Sequence, residues 1–237
     1  EQDLLALRAM WDEVEGGALI LDAVQAAASR RLGFQEVGAD HLVIGSAKLE
    51  GPAGIAALIS APDRRLRPLV PGGGQERGRR GGTEAVPLAA AFAHALALAS
   101  RERDAMRTHL SALSRTFEEA LGAPETHGLR LTGSSDRSAR LPGHHSYAAS
   151  WVRGDDLVAA LDHAGLAIST GSACISGSRE PSEALLACGH AIDEARGGIR
   201  ISFGRTNSVE EARRAATITA ATCARIREGL RVEAPFS

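Results

Sequence analysis

Four residues along the chain are of types that could do chemistry: an aspartate, a lysine, an arginine and a cysteine. Asp22 closes the apolar run Ala18–Leu21, and Lys48 follows His41–Ile44 after Gly45-Ser46-Ala47. Both fall at the C-terminal ends of stretches that read as short buried strands, and ligands of an open α/β sheet bind outside such ends. An amine and a carboxylate placed there meet the needs of pyridoxal phosphate (PLP): a lysine to form the Schiff base, and an acid to keep the pyridine nitrogen protonated. Taken alone, an aspartate there is more often a helix cap or turn residue, and a lysine in a Gly-rich turn is usually solvated. Arg200, in Ile199-Arg-Ile-Ser202, offers a fixed fork that can grip a carboxylate bidentately. Cys174 lies in Ser169-Thr-Gly-Ser-Ala-Cys-Ile-Ser-Gly-Ser178, a small, polar stretch suited to a mobile loop. As a thiolate it is a nucleophile able to accept sulfur; the alternative is a small buried core residue. Cys188 and Cys223 fall in or at the ends of predicted helices and read as such core residues.

The elements that must carry these groups follow from periodicity. Leu4, Leu5, Leu7 and Met10 predict a helix over 3–15, broken by Gly16-Gly17. Short strands are predicted at 18–21, 41–44 and 54–60, the last closed by Pro62, and their alternation with helices implies an α/β fold with a mostly parallel sheet. Residues 61–83 read as a Pro/Gly/Arg-rich loop and 84–121 as a long helix or helix pair. Beyond it come strands near 129–132, 146–152 and 198–203, helices at 155–164 and 181–187, and a final helix opened by the capping box Ser208-Val-Glu-Glu211. A domain boundary is expected within the long helix near residue 104, giving units 1–104 and 105–237.

Composition narrows the classes. A chain of 237 residues with 44% hydrophobic and 24% charged residues can bury a core, and with only 3% aromatics that core should be aliphatic. A net charge of −2 gives no electrostatic case for direct nucleic-acid binding. The run of Arg64, Arg65, Arg67, Arg77, Arg79 and Arg80 lacks interleaved aromatics for stacking and reads as a solvated loop face. The longest apolar run, Ala85–Ala99, is too short to span a membrane, and Glu1-Gln2-Asp3 has no signal-peptide character. Three cysteines without Cys-x-x-Cys spacing argue against a disulfide framework or zinc site and favour a reducing cytoplasm. His144-His145, adjacent on a strand, should point to opposite faces, so no metal site is expected there.

Five strings, in order from residue 18 to about 212, resemble the group I cysteine desulfurases, PLP enzymes of the class V aminotransferase fold. Asp22-Ala-Val-Gln25 resembles that family's Asp-Ala-x-Gln, in which the acid meets the pyridine nitrogen and the amide the ring hydroxyl. Lys48-Leu-Glu-Gly-Pro-Ala-Gly54 resembles the segment that begins at the Schiff-base lysine. Gly72-Gly-Gly-Gln-Glu-Arg-Gly-Arg-Arg-Gly-Gly-Thr83 resembles the loop whose threonine, here Thr83, reaches the PLP phosphate of a neighbouring subunit, which implies a homodimer. Gly171-Ser-Ala-Cys174 with Glu180-Pro-Ser182 resembles the long cysteine loop, and Ile199-Arg-Ile-Ser-Phe-Gly-Arg205 the strand whose arginine, here Arg200, holds the substrate carboxylate. The resemblance implies conversion of L-cysteine to L-alanine, with a persulfide on Cys174. The sulfur acceptor would be a protein, such as an iron–sulfur scaffold or a tRNA- or DNA-thiolating system. It also implies that 1–104 is part of a PLP-binding large domain and 105–237 a small α+β domain carrying the cysteine loop.

Gly45 and Ala47 stand where the family carries a serine and a histidine on the cofactor phosphate, with Ser46 the remaining hydroxyl candidate there. The family's phosphate loop and ring-stacking histidine belong to a portion preceding the part that residue 1 resembles. Residues 1–104 are therefore not expected to form a stable PLP domain alone. The remainder is expected in a longer polypeptide or a partner chain, unless the protein has abandoned PLP. Two other readings stand beside the desulfurase: a PLP-dependent selenocysteine or cystine lyase, and a non-catalytic homologue acting as a binding partner.

Overall fold

Three strands frame the first part of the chain. The computed structural model describes residues 4–14, 17–171 and 180–233. It divides the chain into two units, Glu1–Met106 and Arg107–Ser237. The first holds helix α1 (Leu4–Asp12), strand β1 (Ile20–Asp22), the short helix α2 (Phe34–Val37), β2 (His41–Gly45), β3 (Ala56–Ser60) and the turn-like α3 (Gln75–Gly78). Helix α4 (Val86–Leu121) contains the division between the units.

In sheet order β1-β2-β3, β1 and β2 run parallel, pairing Asp22 with Val43, and β2 and β3 run antiparallel, pairing Gly45 with Ala56. The sheet expected to be largely parallel is thus mixed in these residues. The physical reason is the connection: residues 46–55 are too few for a crossover, whereas 23–40 give the chain room to return beside β1. Strand β3 starts two residues later than predicted, since Gly54 makes a turn at φ +87° that side-chain-bearing residues avoid. Ala23, Leu42, Ile44, Leu49, Phe92 and Ala95 form a small buried cluster against this sheet.

One buried acid braces the end of this sheet where β2 begins. Asp40 accepts the Leu19 amide at 2.7 Å and Arg64 Nε and Nη2 at 2.9 and 2.8 Å, while Arg8 lies 3.7 Å away and also donates to the Gly38 carbonyl at 2.6 Å. The Leu19 amide, with Arg64 and Arg8 behind it, holds the Asp40 carboxyl below its ordinary value although burial opposes this.

The second unit has an antiparallel sheet in the order β4-β5-β7-β6, built from β4 (Arg130–Leu131), β5 (His144–Ala148), β6 (Ser169–Thr170) and β7 (Gly198–Ser202). Helices α5 (Gly154–His163), α6 (Glu183–Ala187), α7 (Ile192–Arg196) and α8 (Val209–Glu233) complete it. Tyr147, Ile199 and Ile201 pack from the inner sheet face onto Leu113, Phe117, Leu157, Leu161, Ala212, Ala215 and Ala216. Strand β5 stops at Ala148, earlier than predicted, as the chain turns to hydrogen-bond Gly197. The capping box forms as expected: Ser208 Oγ accepts the Glu211 amide at 3.1 Å, and Glu211 accepts the Ser208 amide at 2.7 Å. Among the described residues no helix is long and apolar enough to cross a membrane.

Candidate active site

Asp22 and the turn bearing Lys48 occupy the C-terminal ends of neighbouring parallel strands. Asp22 is exposed, and one carboxylate oxygen accepts the Val24 amide at 2.9 Å. No cation pairs with it among the described residues. Gln25 is exposed at the start of the turn Ala26–Ala28 and makes no capping bond.

After β2 the chain makes a 3₁₀ turn, Ser46–Leu49, which ends at Glu50 in a left-handed conformation and is closed by the Gly51 amide on the Ser46 carbonyl at 3.1 Å. Residues three apart eclipse one another in such a turn. Ser46 and Leu49 therefore share the buried side, and Ala47 and Lys48 are exposed. The Lys48 amine has no hydrogen-bond or ion-pair partner among the described residues.

Ser46, read from sequence as a cofactor contact, instead turns its hydroxyl inward. The residue is fully buried, its hydroxyl has no hydrogen-bond partner among the described residues, and a Cβ at Gly51 would collide with that oxygen. Nor is Gly45 easily filled: its missing Cβ would lie 3.2 Å from Val24 Cγ1. Thr83 is exposed, two residues beyond Gly81, whose amide bonds the Val70 carbonyl at 2.7 Å.

Arg200 belongs to the second unit. On β7 it pairs directly with Ser146 of β5 and Ser169 of β6, and directly paired residues share a sheet face. His144, opposite Ser202, is the next residue along β5 on that face, while His145 points into the core at 1% exposure. Half-buried Arg200 has no carboxylate partner among the described residues. Desolvation, reinforced by the Arg200 cation and by His145, holds His144 below the ordinary histidine value.

Cys174 lies outside the described residues; the described residues before and after it, Gly171 and Ser182, are anchored in the second unit. The Gly171 amide donates to the Gly198 carbonyl at 2.7 Å, and the Ser182 amide to the Ala195 carbonyl at 3.1 Å. A Cβ on Gly171 would lie 3.2 Å from the Gly198 backbone, so the chain just after β6 meets the start of β7 glycine to glycine. Cys223 is a buried core thiol as expected, pushed up to about 11 by burial against the opposing influence of Arg227. Cys188 is not buried: it follows the five-residue helix α6 and is exposed.

Sequence reasoning missed a charged cluster built on α4. Glu118 pairs with Arg137, with Arg140 at 3.1 Å and with His145 Nδ1 at 3.4 Å, and His145 Nε2 meets Ser114 Oγ at 3.2 Å. The available signal was the Ser114/Glu118 spacing of one helical turn facing the inward histidine.

Residues 2–214 match the family model described as aminotransferase class-V. The chain belongs to the aminotransferase class-V family. Cysteine desulfurase IscS 1 of Archaeoglobus fulgidus is 34% identical over 211 residues, covering 89% of this chain and 54% of that protein. A cysteine desulfurase of Gluconacetobacter diazotrophicus is 37% identical over 215 residues, covering 90% and 53%. The X-ray structure of a NifS-like protein from Rickettsia africae aligns with a TM-score of 0.79 at 27% identity, covering 93% of this chain and 56% of that one. This class-V chain thus spans about half the length of the curated relatives it matches, and its fold is part of theirs.

Proposed function

We propose that this class-V chain works as a PLP-dependent cysteine desulfurase, converting L-cysteine to L-alanine and carrying the sulfur on Cys174. The observation that carries this is the pair at the sheet's chemical end: an exposed amine at Lys48 and an exposed carboxylate at Asp22, neither engaged by another side chain among the described residues. The relatives' names point the same way.

The donor set fits the cofactor at its ring. Lys48 would hold it, Asp22 would face the pyridine nitrogen and Gln25 the ring hydroxyl. The phosphate end is leaner, since Gly45 and Ala47 offer no side-chain donor and Ser46 is turned away; Thr83, serving the other subunit of a homodimer, would contribute a hydroxyl. PLP, when bound, supplies an electron sink that makes the substrate's α hydrogen acidic. Lys48 takes up and returns a proton at Nζ. Arg200, lacking a protein carboxylate among the described residues, orients the substrate through its carboxylate. The Cys174 thiolate attacks the substrate sulfur: the carbon–sulfur bond breaks, a sulfur–sulfur bond forms, and the carbon takes a proton to give alanine. A sulfur-acceptor protein then receives the persulfide sulfur, in an iron–sulfur or nucleic-acid-thiolating system, and the cytoplasm is the setting that suits its free thiols.

A second reading rests on the inward Ser46 together with Gly45 and Ala47: a homologue with weakened phosphate contacts that binds an active desulfurase without catalysing. One experiment separates them. The native protein incubated with PLP should gain an absorption band near the visible edge, lost in Lys48→Ala, and should form alanine from L-cysteine. Cys174→Ser should abolish persulfide labelling. Absence of the band in the native protein at every PLP concentration would move the assignment to the non-catalytic partner.

A further inference from the structure

The face of β5, β6 and β7 that carries Arg200 also carries a group the desulfurase reading does not use. Register puts Ser146 and Ser169 directly beside Arg200 and His144 on the diagonal, opposite Ser202. Diagonal neighbours on a sheet lie about 7 Å apart, within reach of two long side chains that share one small ligand. A guanidinium without a protein carboxylate among the described residues and an exposed imidazole at that spacing are complementary to a carboxylate, whose two oxygens can each take a hydrogen bond.

We propose that His144 is a second carboxylate-binding residue: its imidazole and the Arg200 guanidinium hold one substrate carboxylate together, and His144 takes a proton from solvent as that carboxylate arrives. The inference rests on the reading of Arg200 as the carboxylate anchor. The surroundings explain why the proton should wait for the anion. Arg200 faces His144 from β7, and His145 adjoins it on its own strand. Arg115 and Glu118 of α4 line the same surface cavity as His144, together with Arg137 and Arg140. Glu118 is the one acid among the described residues that line it, and it is already taken by Arg137, Arg140 and His145. An imidazolium at His144 would thus stand among cations until a ligand brings a negative charge. Desolvation first, then the Arg200 cation and His145, keeps His144 below the ordinary histidine value in the free protein.

The test reads the proton, not the turnover. The full chain is labelled with ¹³C-histidine, the His144 resonance is assigned by its loss in His144→Gln, and its titration is followed with L-serine as an unreactive probe. L-serine should raise the His144 midpoint by about one pH unit, whereas L-serinamide, lacking the carboxylate, should leave it in place. The response should disappear in Arg200→Gln and persist in Lys48→Ala. L-serine should bind up to about tenfold more tightly near pH 5 than near pH 8, with a flat profile in His144→Gln. A His144 titration unchanged by L-serine overturns the proposal, whether binding or coupling is what is missing. Failure of the PLP spectrum or of alanine formation leaves this titration standing, so the two readings fall separately.

Discussion

Glu118 shows how one half-buried acid can organise a surface. Its carboxylate serves Arg137, Arg140 and His145, and His145 in turn meets Ser114, whose hydroxyl accepts the Gly143 amide at 2.8 Å. Burial favours the neutral acid, but the His145 contact and the two arginines outweigh it and lower Glu118 from 4.5 to about 2. A folded value below the unfolded one means that this group's contribution is complete above 4.5 and is lost as pH falls toward about 2. Glu118→Gln should therefore cost about 1–3 kcal/mol at neutral pH, because two arginines lose their partner, and should flatten the acid limb of stability. Urea unfolding midpoints from neutral to acid pH check both. Beyond the one-turn Ser114/Glu118 spacing this cluster was not legible from the chain, because Ser114 and His145 are 31 residues apart and their meeting depends on how α4 packs on β5. Asp22, Lys48 and Arg200 were legible, each inside a string that fixes its place at a strand or strand end. The sidedness of Ser46 was not, since it depends on the phase of a 3₁₀ turn whose buried side is chosen by Leu49 and the cluster beneath it.

Local signals carry furthest at the level of elements. The Ser208–Glu211 box is a four-residue motif with its physics inside it, and it forms where the sequence put it. Ser208→Ala should destabilise the second unit by about 1 kcal/mol, visible as a lowered thermal midpoint, while Ser208→Asp should restore it. Strand direction was harder to read. The pattern of β3 is the same whichever way it runs, and only the short 46–55 connection, made by a tight turn and not a helix, settles that it is antiparallel. His144 and His145 illustrate what alternation does give: opposite faces, one exposed and one at 1% exposure, follow from strand geometry alone.

Across the whole molecule the two units are unequally built. The second encloses Phe117, Tyr147, Leu113, Leu157, Leu161 and Ile199 at 1% exposure or less, whereas the first relies on a smaller cluster rich in alanine, with Ile20 and Leu58 largely exposed. Opening free energies scale with such burial. Amides of β2 should exchange faster than those of β5 and β7 in hydrogen-exchange mass spectrometry, and PLP should slow β2 selectively by binding the folded first unit. Equal protection in both units would show that buried area is a poor guide to their relative stability.

The brace at Asp40 has a practical corollary. It ties Leu19, Arg64 and Arg8 at one end of the first sheet, and Asp22 and Lys48 emerge at the other, where, among the described residues, Lys48 holds nothing and Asp22 only the nearby Val24 amide. Reactivity and scaffolding have been assigned to opposite rims. Replacing the amine or the acid deletes a reagent without pulling out a rivet, so a colourless Lys48 variant reports lost chemistry and not a collapsed frame.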